Sequence, residues 1–380
     1  MASDRVISSD DHVFEPADLW TSRVDKPFRD RAPRVIHRDE DDTDWWVCDG
    51  VIGISGGSGG SQMGKRFESP EQMRIGDTLE HVRLGAYLPE ERLKDMDADG
   101  IDMALVYPTE GLLLYSVPDS TLLTALCAAY NDWLAEFCGA VPRRIKGIAM
   151  LDIDDIGSAI RELERCAKLG LVGAMFSVYP AEEKSSDRPE YAPFWAAAED
   201  LRMPLSLHAV TNRPAPQSGD GDEALRTLDG PIDYAALANI DHWVRMSLAR
   251  MILSGVFERH PKLQVGSIEQ EVSWASHFIE RLDYTYTQRP QSGGYRYRED
   301  LLPSDYFHRN VFISFQEDAV GLRERQFIGV DNLMWGSDYP HFESTFPRSQ
   351  QILAEILADC TEEEKAKIVG GNTARIYDLD

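Results

Sequence analysis

Eight short apolar runs, separated by segments of helical periodicity, limit what this chain can fold into more than any other feature. They are Arg5–Ser9, Ile101–Tyr107, Ile145–Leu151, Val172–Val178, Pro204–Leu207, Leu263–Ile268, Val311–Phe315 and Leu333–Gly336. Most are nearly continuously apolar rather than alternating, the pattern of parallel strands covered on both faces. Between them, Ser120–Cys138, Gly157–Leu169, Glu190–Leu201, Tyr234–Arg259, Val272–Tyr286, Leu322–Ile328 and Ser349–Leu357 repeat apolar residues at helical spacing. Pro89–Asp99 opens with proline and acids, which suits a helix N-terminus. Strands alternating with helices through right-handed crossovers close most economically into a (β/α)8 TIM barrel, with an open doubly wound sheet as the alternative. A single barrel domain accommodates all 380 residues.

Two stretches fall outside the repeat. Residues 20–87 read as an insertion after the first strand, carrying Trp20, Trp45, Trp46 and a Gly/Ser-rich run, Gly53–Ser61. That run lacks the Lys-Ser/Thr ending of a phosphate loop and reads as a flexible loop. The tryptophans hint at a sizeable apolar substrate. Residues 211–230, rich in Pro, Gly and Asp, follow the fifth strand, where loops form the mouth of a barrel.

The formal charge of −26 argues against binding nucleic acid or an anionic membrane, which needs clustered Lys and Arg. Five scattered cysteines with no C-x-x-C pair read as reduced thiols. With no apolar leader in Met1–Asp18 and no long apolar run, a cytoplasmic location is expected. The amphipathic segment Trp243–Phe257 packs on the barrel or pairs two copies as a homodimer.

Chemistry-bearing residues gather where strands run out. Asp10 and His12 follow the first strand two residues apart, so on extended backbone they face the same way. His208 ends the fifth strand, Glu269 and Glu271 follow the sixth, and Asp338 and His341 follow the eighth. All lie at the same end of the expected strands, the end at which barrel active sites sit. Imidazoles and carboxylates at one rim, without nearby cysteines, suit a divalent metal ion, zinc first, with manganese or iron(II) as alternatives and one or two ions.

These residues and several motifs resemble the amidohydrolase superfamily, in particular the amidohydrolase-related group that includes aminocarboxymuconate-semialdehyde decarboxylase. The motifs are Ser9-Asp10-Asp11-His12-Val13-Phe14-Glu15-Pro16, Arg92-Leu93-Lys94-Asp95-Met96-Asp97 with Gly100-Ile101-Asp102, and Gly255 to Leu263. Trp335-Gly336-Ser337-Asp338-Tyr339-Pro340-His341 and Gly371-Asn372-Thr373-Ala374-Arg375 complete the set. The resemblance implies that Asp10, His12, His208 and Asp338 are metal ligands, with Asp338 also handling the proton of the attacking water or substrate. Glu269 departs from the pattern, because the decarboxylases of the group place a histidine there. It reads as a ligand to a second metal or as a general base.

The chemistry expected is a metal-activated water acting on a carbonyl-bearing substrate (an amide, ester, thioester or C–C bond), with Asp338, Glu269 and His341 as catalytic groups. Glu269 tilts the reading towards hydrolysis, since an added carboxylate repels a substrate carboxylate. A non-oxidative decarboxylase of an aromatic or unsaturated acid is the first alternative, and a non-catalytic ligand-binding barrel the second. His341 is placed to hydrogen-bond an oxyanion or a substrate carboxylate, or is a loop histidine with a backbone partner. Glu15 orients His12 or caps a turn, and Glu317 is a further candidate for substrate or metal contact.

Overall fold

The computed structural model describes residues 5–379, apart from 50, 57, 75, 181–183 and 214–233. The strands, in chain order, are β1 (Ile7–Val13), β2 (Arg34–Arg38), β3 (Thr43–Cys48), β4 (Val51–Gly56), β5 (Met103–Pro108), β6 (Ile145–Met150), β7 (Gly173–Phe176), β8 (Leu205–His208), β9 (Val265–Ile268), β10 (Val311–Phe315) and β11 (Leu333–Trp335). One parallel sheet runs β1-β5-β6-β7-β8-β9-β10-β11, a strand for each of the eight apolar runs, and helices cover its outer face. This is the expected (β/α)8 barrel. No described helix is long and apolar enough to cross a membrane.

β1 continues to Val13, past the apolar run that ends at Ser9. Its polar residues hid this continuation, yet the whole strand is buried, and most of its polar groups find partners inside the barrel. Ser8 Oγ donates to Asp11 at 2.6 Å, and Ser9 Oγ donates to the Trp335 carbonyl at 3.0 Å. The second bond crosses the seam between β1 and β11. So do the Asp338 amide, which donates to the Asp10 carbonyl at 2.8 Å, and the His12 amide, which donates to the Tyr339 carbonyl at 2.6 Å.

The seam is this tight because residue 336 has no side chain: a β-carbon on Gly336 would lie 2.6 Å from the Asp10 β-carbon. Gly336→Ala is therefore expected to destabilise the protein by about 1–3 kcal/mol, as overpacking does in other cores. Thermal unfolding would measure it, and an unchanged midpoint would show that the seam can open without cost.

The insertion is more ordered than expected. β2, β3 and β4 form an antiparallel sheet, and the Gly/Ser-rich run is not a loop: it supplies part of β4 and the helical turn Ser58–Ser61. The tryptophans have packing partners within the chain. Trp20 is fully buried, its indole N–H donates to the Leu126 carbonyl at 3.1 Å, and its ring meets Trp46 edge to face at 5.5 Å. Trp45 lies beneath the Arg38 guanidinium. These aromatic groups join the insertion to the long helix Ser120–Ala140 by burying area that would otherwise face water.

The helix expected over Tyr234–Arg259 is three pieces, Tyr234–Leu237, His242–Leu253 and Val256–Arg259. The second break falls at Gly255, whose φ of 76° and close approach to the Tyr295 ring both favour glycine. Val244, Leu248, Met251 and Ile252 pack on the barrel, while Trp243 and Met246 are partly exposed. From position 214 onward, the expected loop 211–230 lies outside the described residues.

Candidate metal centre

The site is built from strand ends. A bulge in the β1–β5 pairing between Ser8 and Asp11 re-aims the end of β1. Asp10 and His12 then converge inside the barrel, with His12 Nε2 3.5 Å from Asp10 Oδ1. His208, the last residue of β8, brings its Nε2 to 3.3 Å from His12 Nε2 and 3.6 Å from Asp10 Oδ1. Asp338 follows β11 and places Oδ1 3.4 Å from His12 Nε2. Glu269 follows β9, with Oε2 3.4 Å from His208 Nε2. Two groups result, Asp10–His12–His208 and His12–Asp338–His341, which share His12, with Glu269 beside His208.

Backbone contacts set the imidazole tautomers. His12 Nδ1–H donates to the Pro108 carbonyl at 2.7 Å, and His208 Nδ1–H donates to the Ala209 carbonyl at 3.1 Å. In the neutral rings this leaves a lone pair on each Nε2, the atom facing the centre. Asp338 and Glu269 have φ of 57° and 62°, a region that residues other than glycine adopt at a cost of order 1–3 kcal/mol. Such backbone persists where surrounding packing imposes it, and here it turns both carboxyls inward.

The electrostatics are those of a site short of positive charge. Asp10 Oδ1, Glu269 Oε2 and both Asp338 oxygens are buried and accept no well-aligned hydrogen bond, although histidine ring nitrogens lie near Asp10, Glu269 and Asp338. Burial, reinforced by the Asp10 charge, pushes Asp338 well above the carboxylate range. Burial and the Asp338 charge push Glu269 up to about 8. Burial acts on Asp10 too, but hydrogen bonds and charge from His12 and His208 outweigh it and hold Asp10 below its ordinary value. Burial and His341 bring His12 down to about 3, so it is neutral. For His208, burial is outweighed by Asp10 and Glu269, and its pKa rises. A divalent cation fits this donor set, since it would satisfy the orphaned oxygens and replace the protons.

Other expected residues take different places. His341 sits inside the cluster with side-chain partners: Nδ1 is 2.8 Å from Asp338 Oδ1, Nε2 is 3.1 Å from Thr109 Oγ1, and its ring stacks on His12 at 4.0 Å. It orients Asp338. Glu15 does not touch the His12 ring; its carboxylate accepts from the Glu110 and Gly111 amides at 3.0 and 2.9 Å, fixing the loop after β5. Glu317 pairs with Arg66 from the insertion, and Glu271 accepts from the Gln316 amide at 3.3 Å. Both line a cavity of about 370 Å³ beside the centre, together with Arg66, Met73, Gln316 and Phe342. Sequence reasoning missed Thr109 and Tyr107, whose ring lies 5.1 Å from His208. Their positions in and just after the second barrel strand were the available signal.

Comparison with known proteins agrees with this architecture. A gamma-resorcylate decarboxylase of Rhizobium radiobacter is 28% identical over 307 residues, covering 77% of this chain and 88% of that protein. A crystal structure of an amidohydrolase from Mycobacterium avium subsp. paratuberculosis superposes with a TM-score of 0.76 at 23% identity, covering 99% of this chain and 100% of the other. A dihydroxybenzoic acid decarboxylase from Polaromonas sp. JS666, solved with manganese and 2-nitroresorcinol, gives 0.64 at 21% identity, covering 99% and 97%. The amidohydrolase family model matches residues 80–379, and the chain belongs to that family.

Proposed function

We propose that this chain is a metal-dependent, non-oxidative decarboxylase of an aromatic acid, with one divalent ion held by Asp10, His12, His208 and Asp338. The observation that carries the ion is the meeting of two Nε2 atoms with buried carboxylate oxygens whose nearest polar neighbours are other ligand-grade groups. The two possible ligand groups, Asp10–His12–His208 and His12–Asp338–His341, share His12, whose Nε2 offers one lone pair. One ion therefore suits the set better than two. Imidazole and carboxylate ligands accept manganese as readily as zinc, and the manganese of the Polaromonas relative moves the first choice to manganese.

The preference for hydrolysis drawn from Glu269 gives way. It assumed a fully charged carboxylate, whereas in the metal-free protein burial and the Asp338 charge raise Glu269 to about 8, so its charge is no fixed feature of the site. The Rhizobium and Polaromonas relatives, moreover, are decarboxylases. When bound, the ion supplies a Lewis acid for the substrate's carboxylate and a neighbouring oxygen. Decarboxylation adds one proton to the ring carbon, breaks the bond to the carboxyl group, and releases carbon dioxide. Asp338, oriented by His341, is the group placed to deliver that proton, which solvent then restores.

Carbon dioxide release from a panel of 2-hydroxybenzoic acids by manganese-loaded protein tests the proposal. Turnover of aryl esters or anilides with no carbon dioxide from any acid would overturn it. That result would favour hydrolysis, a reading supported by the same Asp338–His341 pair acting on water. Glu269→Gln makes a finer test. If the carboxyl already carries its proton, the amide should keep kcat within about tenfold; a loss of about 10³, the scale of a missing acid or base, would show that its charge is used.

A further inference from the structure

Arg92 is fully buried on the outer side of β1, and nothing in the chemistry proposed above uses it. It sits in the helix Pro89–Asp99, which follows the insertion and reaches the strand through this side chain. Its Nη1 donates to the His12 carbonyl at 2.7 Å, and its Nη2 donates to Asp11 Oδ2 at 3.0 Å. The guanidinium carbon lies 4.7 Å from the centre of the Tyr339 ring. Tyr339 follows Asp338 directly and accepts the His12 amide on its carbonyl, and its hydroxyl donates to Asp95 Oδ2 at 2.5 Å. Asp11 Oδ1 in turn accepts from Ser8 and, across the seam, from Ser337 Oγ at 2.7 Å.

The two hydrogen bonds of this guanidinium fall on the residue before, and the backbone of, His12 on β1, and its ring contact falls on the residue after Asp338, beyond the end of β11. A planar, permanently charged fork can hold a carboxylate and a carbonyl at once, which an ammonium cannot do with the same rigidity. We infer that Arg92 is a positioning residue that clamps the β1–β11 seam from outside and so fixes His12 and Asp338 at the spacing the ion requires. The inference rests on the metal reading proposed above but is independent of whether the reaction is decarboxylation or hydrolysis.

The test is manganese affinity by titration calorimetry, together with the visible spectrum of the cobalt(II)-substituted protein, which reports ligand geometry. Arg92→Met should weaken manganese binding by about 10- to 100-fold, the usual effect of removing a group that orients ligands, and should alter the cobalt bands. Arg92→Lys should recover part of the affinity. Because Arg92→Met leaves Asp11 buried without its partner and can fail to fold for that reason alone, Arg92→Met/Asp11→Asn is the deciding variant. It removes both charges, and it should still bind weakly with an altered spectrum. A folded double variant with wild-type affinity and spectrum would overturn the role of Arg92 alone. A wild-type chain that takes up no ion would overturn this inference and the metal reading together.

Discussion

Asp338→Asn should cost about 10³-fold in kcat, within the range for removal of a positioned acid or base, while leaving the fold intact. The substitution is close to isosteric, and asparagine tolerates the left-handed backbone that this position adopts at φ 57°. The amide can neither deliver nor accept the proton. The metal-free protein is affected differently. Asp338 is fully buried beside Asp10, and burial and that charge together push its pKa well above the ordinary value, so a neutral amide carries no charge penalty there. The variant should therefore melt no lower than the wild type when both are free of metal. Steady-state kinetics with thermal unfolding separates the two effects. A kcat within tenfold of wild type would remove Asp338 from the chemistry, and a large drop in stability would mean that its carboxylate is structural.

Removing the metal should abolish turnover, with activity returning on addition of manganese, and uptake should depend on pH in a definite direction. Glu269 rises from an ordinary value of 4.5 to about 8, and Asp338 rises as well, both chiefly through burial. The metal-free folded protein therefore holds protons that the unfolded chain has lost between those pH values. A folded state that binds more protons loses stability as pH rises through that window. The metal-free protein should thus become less stable from about pH 4.5 towards pH 8. An ion at the centre competes with those protons, so manganese affinity should strengthen as pH rises, and binding should release protons into a weak buffer. Calorimetry in buffers of different ionisation enthalpy counts them. Affinity independent of pH between 6 and 8, on the order of that window, would show that the carboxyls do not exchange protons for the ion.

Much of the candidate site was legible because ligand residues and strand ends coincide. His208 follows the apolar run Pro204–Leu207 directly, and Asp338 follows Leu333–Gly336 by two residues. Period-two geometry placed Asp10 and His12 on one face. The bulge between Ser8 and Asp11, and the burial of five successive polar residues in β1, were not legible, because they depend on partners from β10, β11 and the helix Pro89–Asp99. The tryptophans of the insertion illustrate the same limit: composition marked them as apolar surface, but only packing shows that Trp20 and Trp46 bind one part of the chain to another.

The sequence by itself determined the alternation of buried strands and amphipathic helices, hence the barrel and the rim that carries its chemistry. These follow from local periodicity and the need to bury both faces of a parallel sheet. Only the tertiary structure decided the charge state of the rim. Whether Glu269 acts as a carboxylate or a carboxylic acid depends on its burial and on Asp338, 69 positions further along the chain, so no local pattern could encode it.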